Sequence, residues 1–103
     1  MILEIAEIQI QAGQQAAFEA AIAQGISSVI SQAQGFISAR VQRGIESPER
    51  YILQIEWASL EDHTEHFRGG PLFPAWRSLV GPFFAQPPRV EHYSGLALAS
   101  GQA

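Results

Sequence analysis

No cysteine occurs in the chain, and that absence removes disulfides, thiolate nucleophiles, iron–sulfur clusters and thiolate zinc sites together. Charge is also scarce. Only 16% of residues are charged, ten acidic against six basic, for a net charge of −4, and Arg40, Arg43, Arg50, Arg68, Arg77 and Arg89 are scattered rather than clustered. Nothing there forms the basic stripe of a nucleic-acid surface. No apolar run nears the roughly 20 residues of a membrane span, and Met1 to Gln11 has neither the cationic start nor the apolar block of a secretory signal. The expectation is a cytoplasmic protein with no nucleic-acid or membrane partner. Neither Gly13 nor Gly69-Gly70 fits a dinucleotide-binding loop, and no serine stands in a nucleophile elbow.

The sequence does have periodicity. Its 103 residues, 47% of them hydrophobic, fit one globular domain with a modest core. Ile2 to Ile10 alternates, with Ile2, Glu4, Ala6, Ile8 and Ile10 on one side and Leu3, Ile5, Glu7 and Gln9 on the other, which predicts a first strand. Phe18, Ile22, Ile26, Val29 and Ala33 then recur at helical spacing, predicting a helix from about Gln14 to Gln34, capped by Gly35 in a left-handed conformation. Gly25 lies on the buried stripe, so the helix either bends there or presses its backbone close to the sheet.

A second strand, about Phe36 to Arg43, sets Ile37, Ala39 and Val41 against Ser38, Arg40 and Gln42, and the stretch from Glu46 to Glu49 supplies a hairpin turn. The third strand puts Tyr51, Leu53, Ile55 and Trp57 on one face. Ser59-Leu60-Glu61-Asp62 matches a capping box, in which the serine oxygen and the carboxylate satisfy amide hydrogens at a helix start. Two helical pieces, Leu60 to Arg68 and about Leu72 to Leu79, are separated by Gly69-Gly70-Pro71, and Arg89 to about Ala97 reads as a fourth strand. In this β-α-β-β-α-β order both helices cover one face of a four-stranded sheet. Apolar residues on both sides of the first strand, and Ile37, Ala39 and Val41 opposite Ser38 and Arg40, predict an open face too apolar to stay wet. A second copy, sheet against sheet, would cover it.

At 100 degrees per residue, Leu60, Thr64 and Phe67 share the inner face of the first helical piece, with His63 pointing inward, His66 on the boundary, and Glu61 and Glu65 facing water. Phe73, Trp76 and Trp57 reach the same region, outlining an aromatic-walled pocket with one or two imidazoles. The same spacing describes an ordinary aromatic core, and His63 serves as a structural or a functional residue on this pattern. His66 and His92 read more readily as structural or surface residues. A metal site is disfavoured: Glu65 faces away from His63, and a third ligand would have to come from His92 on a distant strand.

Gly35-Phe36, the run from Tyr51 to Ser59, the segment from His63 to Phe67, Trp76-Arg77 and Val90-Glu91-His92-Tyr93 together resemble the antibiotic biosynthesis monooxygenase family. The resemblance runs from about Ile2 to Leu98. It implies an α+β, ferredoxin-like subunit with a four-stranded antiparallel sheet at residues 1–98 and a homodimeric α/β barrel with a pocket in each subunit; the small polar end of the chain has nothing to bury, which predicts a flexible tail at 99–103. Characterised members oxygenate phenols and quinols with molecular oxygen and no flavin, haem or metal. The resemblance therefore implies a cofactor-independent monooxygenase acting on a quinol or polycyclic phenol; the alternative is a non-catalytic small-molecule-binding or stress-response protein of the same fold. Trp57 matches a pocket-lining tryptophan of quinone-forming members, His63 stands where one polyketide-oxidising member has a tyrosine, and His66 matches a histidine of small quinol-oxidising relatives. Haem-degrading relatives need an asparagine and an iron-binding histidine where this chain has Ala6 and Trp76, which disfavours haem. The candidate set is thus His63 and His66 as catalytic residues, with Leu53, Trp57, Phe67, Phe73 and Trp76 against the substrate.

Overall fold

A computed structural model describes residues 1–96. The strands are β1 (Ile2–Gln9), β2 (Phe36–Arg43), β3 (Arg50–Trp57) and β4 (Arg89–Tyr93), and the helices are α1 (Gln15–Ser28) and α2 (Leu72–Val80). A six-residue π-helix, Asp62–Phe67, and two single 3₁₀ turns complete the regular structure. The sheet runs β2-β3-β1-β4 with every neighbouring pair antiparallel, the ferredoxin-like α+β arrangement. The expected tail at 99–103 and the expected end of the fourth strand at Ala97 lie outside the described residues. Within them β4 stops at Tyr93. No helix among them is long and apolar enough to cross a membrane.

Alternation decides which way each strand faces. Ala6, Ile8 and Ile10 of the first strand region, with Tyr51, Leu53, Ile55 and Trp57 of β3, are buried beneath the helices together with Phe18, Ile22 and Val80. Removing each such side chain from water contributes about 1.5–3 kcal/mol, which is what holds two short helices on the sheet. The opposite face carries Leu3, Ile5 and Ile52 in its middle, with Arg40, Gln42, Gln54, Glu56, Arg89 and Glu91 around them. That face is mixed rather than broadly apolar, since Ala39 and Val41 pack on the core side.

Four further sequence expectations need correction. The first helix ends at Ser28, not Gln34: at Val29 the backbone leaves helical geometry (φ −120°, ψ −67°) and a 3₁₀ turn follows at Ile30–Gln32. The Ser31 hydroxyl donates to the Ser27 carbonyl at 2.7 Å, competing for the acceptor that the next helical turn would use. The break also buries the consecutive residues Val29 and Ile30, which a straight helix would splay by 100 degrees. Second, a β-bulge between Phe36 and Ser38 turns Ile37 out of line with Ala39 and Val41, and Ile37 is 49% exposed. Third, Gly25 is pressed by the other helix and not by the sheet: a Cβ there would meet ring carbons of Trp76 at 2.7 and 2.8 Å. Fourth, Gly35 does adopt a positive φ of 82°, but in the turn into β2, and a side chain there would collide with the Asp62 carboxylate.

Candidate active site

The π-helix sets the site. Its signature is the bond from the Arg68 amide to the His63 carbonyl at 3.0 Å, five residues back. The wider turn buries Asp62, His63 and Phe67, whereas α-helical spacing predicts Leu60, Thr64 and Phe67; Leu60 is in fact exposed. Two consecutive residues are drawn inward because each has a polar anchor. The Asp62 amide donates to the Ser59 hydroxyl at 3.2 Å, which is one half of the expected capping box. The carboxylate takes a different partner set. Gln34 Nε2 donates to Asp62 Oδ1 at 3.2 Å, and His66 Nδ1 lies 3.1 Å from the same oxygen. This contact with His66 holds the Asp62 carboxyl below the usual carboxylate range.

His63 has the other anchor. Its Nδ1 is 2.7 Å from His92 Nε2, and its Nε2 is 3.4 Å from Glu4 Oε1. Glu4 and His92 are cross-strand partners in the β1–β4 register, so the sheet presents both on one face and the π-helix lowers His63 onto them. The indole Nε1 of Trp57 donates to the same Glu4 oxygen at 2.9 Å. Glu4 and His63 are only 5% and 3% exposed. Burial pushes the Glu4 carboxyl above its ordinary value, against the opposing effects of the Trp57 bond and the Arg68 charge. Burial pushes the His63 imidazole down to about 4, helped by Arg68 and His92. His92 is lowered for the same two reasons, burial first and Arg68 second. His63 is therefore neutral near pH 7, with one donor and one acceptor nitrogen on opposite sides of its ring. Because those nitrogens face different partners, Glu4, His63 and His92 do not converge on one point, and no group of three metal-ligating side chains does so among the described residues.

A cavity of about 610 Å³ opens beside this cluster, between the sheet, the π-helix and α2. Glu4 and His63 are in its wall, with Leu53, Phe67, Phe73 and Trp76 as apolar lining. The Phe67 and Phe73 rings meet edge to face at 5.6 Å, and the Arg77 guanidinium sits 5.8 Å above Phe73. Arg68 and Arg77 stand on the same wall. The arrangement offers a ring-sized apolar slot next to a desolvated acid–base pair.

The sequence-predicted residues thus separate into groups. Leu53, Phe67, Phe73, Trp76 and His63 come together on the cavity wall. Trp57 is fully buried behind His63, its ring stacked on the imidazole at 5.3 Å and 18°, so it backs the site rather than lining it. His66 does not join them: its side chain is 51% exposed and tied to Asp62 and Gln34. Glu4 was missed. Its signal was present, a carboxylate in phase with Ile2, Ala6, Ile8 and Ile10, but periodicity alone does not say which face of β1 meets the helices. His92 carries the same ambiguity of facing on β4, so the sequence alone gives it a structural or surface role.

The family model described as Antibiotic biosynthesis monooxygenase matches residues 1–79. The chain is 37% identical over 93 residues to the uncharacterized protein YczJ of Bacillus subtilis (strain 168), covering 90% of this chain and 97% of that one. A solved structure from Bordetella bronchiseptica, assigned by its name to the same family, is 40% identical, with a TM-score of 0.87 over 92% of this chain and 96% of its own. SnoaB, a cofactor-independent oxygenase from Streptomyces nogalater, is 13% identical with a TM-score of 0.78 over 92% of each chain, a likeness of fold alone. The family model spans β1, α1, β2, β3, the π-helix and all but the last residue of α2, and with the Bordetella bronchiseptica match it shows that the chain belongs to the antibiotic biosynthesis monooxygenase family.

Proposed function

We propose that this chain is a cofactor-independent monooxygenase that oxidises a quinol or polycyclic phenol with molecular oxygen. The observation that carries the reading is the buried Glu4–His63 pair in the wall of an aromatic cavity of about 610 Å³, a volume suited to a ring system of drug-like size. Molecular oxygen reacts poorly with neutral closed-shell molecules and readily with electron-rich anions. Glu4 and His63 remove the hydroxyl proton, and the apolar walls hold the anion away from water. The ring carbon of the anion then donates two electrons to oxygen, forming a C–O bond and a peroxide anion. After protonation, the O–O bond breaks, the carbon loses its hydrogen as a proton, and a carbonyl and one water result. The substrate supplies every electron, so the scheme calls for no prosthetic group. SnoaB, a protein of the same fold, is a cofactor-independent oxygenase.

The working unit in this reading is a homodimer. Leu3, Ile5 and Ile52 form the apolar middle of the open sheet face, with Tyr93 at its margin, and a second copy placed face to face would cover them. Purified metal-free protein is expected to consume oxygen with reduced naphthoquinols faster than the uncatalysed background, and to sediment as a dimer at micromolar concentration. Tight binding of the quinols with uptake no faster than background would instead identify a non-catalytic binding protein.

A further inference from the structure

We propose that Glu4, His63 and His92 form a reversible proton shuttle joining the cavity to solvent at the edge strand β4, with His92 as its outer positioning residue. Its use in turnover rests on the oxygenase reading above; its existence does not. The three side chains are in successive contact. Glu4 Oε1 is 3.4 Å from His63 Nε2, and His63 Nδ1 is 2.7 Å from His92 Nε2. Glu4 belongs to the cavity wall, and His92 is half-buried on β4, the last strand of the sheet. Oε1 is occupied by Trp57 and His63, while Oε2 has no hydrogen bond among the described residues and is not sealed in the interior. One carboxyl oxygen thus faces the imidazole chain and the other is left for the substrate.

A neutral imidazole accepts a proton on one nitrogen while releasing one from the other, and a carboxylic acid does the same across its two oxygens. In the outward step the substrate hydroxyl gives its proton to Glu4 Oε2. The Oε1 proton passes to His63 Nε2, the His63 Nδ1 proton passes to His92 Nε2, and the His92 Nδ1 proton passes to water. The substrate becomes an anion, water gains one proton, and both imidazoles have exchanged tautomers. Glu4 stays neutral throughout, with its proton moved from Oε1 to Oε2. The inward step reverses each transfer and delivers a proton from Glu4 Oε2 to the peroxide anion, which restores the starting tautomers. The charged and titratable groups facing this chain are Glu4 from β1, His92 from β4, and Arg68 just past the π-helix, whose fixed positive charge disfavours an imidazolium at either ring. Protons are therefore passed on rather than stored.

The test reads the histidine tautomers directly by 15N NMR of ring-labelled protein across pH 4 to 9. His63 and His92 are expected to change tautomer together in wild type, and to be locked in one arrangement by Glu4→Gln. His92→Gln keeps an N–H at the contact with His63 but has no second nitrogen, so His63 is expected to lose its switch there; this variant decides the matter if Glu4→Gln does not fold. Rings that behave independently of each other and of these substitutions overturn the shuttle. In oxygen uptake with a reduced naphthoquinol, His92→Gln is expected to slow turnover at least about tenfold and to be rescued by added imidazole, whereas wild type is indifferent to it. A slowed variant that imidazole does not rescue assigns His92 a packing role and overturns the proposal. Wild type without uptake removes only the oxygenase reading, and the tautomer result still stands or falls by itself.

Discussion

The indole Nε1 of Trp57 donates a 2.9 Å hydrogen bond to Glu4 Oε1, tying the last residue of β3 to the buried carboxyl of β1. Both residues are buried, and this bond is the one that satisfies the indole N–H, while Oε1 also lies against His63. Trp57→Phe keeps most of the packing and deletes the donor. The expected result is a loss of about 1–3 kcal/mol in urea unfolding. The same bond opposes the burial-driven rise of the Glu4 pKa, so its removal should raise that pKa further and move the alkaline limb of the pH–rate profile, where the neutral carboxyl of the shuttle ionises, to higher pH.

Stability should fall on acidification through the titration of His63. Its folded pKa of about 4 lies below the ordinary 6.5, so between those values the unfolded chain binds more protons than the folded one. Stabilisation is full above pH 6.5 and is lost progressively down to about pH 4, by up to about 3 kcal/mol. His92 acts in the same direction, and Glu4, with a raised pKa, acts in the opposite one. Urea titrations from pH 4 to 7 should therefore show a shallower acid limb for His63→Gln than for wild type.

The two histidines of the π-helix should differ in effect. His63→Ala is expected to reduce oxygen uptake with naphthoquinols by about a hundredfold or more, the range for a positioned acid–base group. His66→Ala removes a half-exposed ring that faces Asp62 and not the cavity, and its effect on uptake should be far smaller. Equal losses in both variants would contradict the placement of the site.

Gly25→Ala offers a packing test. In an isolated helix the change would be favourable by about 1 kcal/mol. Here the new methyl would sit 2.7–2.8 Å from the Trp76 ring, and overpacking of that kind costs about 1–3 kcal/mol. The melting temperature should drop, and Trp76→Leu in the same chain should recover part of the loss.

How legible all this was in the sequence depends on the length of each signal. Strand alternation over eight residues placed β1 and β3 well, and the Tyr51-Leu53-Ile55-Trp57 face is buried as read. Errors arose where one residue broke a period. The Ile37 bulge, the serine-assisted break at Val29 and the π-turn after Asp62 each shift the phase by about one position, and a regular wheel or zigzag cannot register that. His63 survived because its inward direction is common to both helical geometries. Glu4 and His92 become visible only with the β1–β4 register, which is a long-range pairing that local pattern does not encode.

The π-helix has one further consequence. A helical turn widened by a single residue is the local outcome of a one-residue insertion, and removing that residue would let the segment relax to α-helical pitch. Side chains beyond the deletion would then rotate by about 100 degrees, and the contact of His63 with Glu4 and His92 could not coexist with the anchoring of Asp62 beside Gly35. A change in length of one codon at this turn would therefore withdraw the imidazole and turn Phe67 in the cavity wall, while the sheet beneath keeps its pairing.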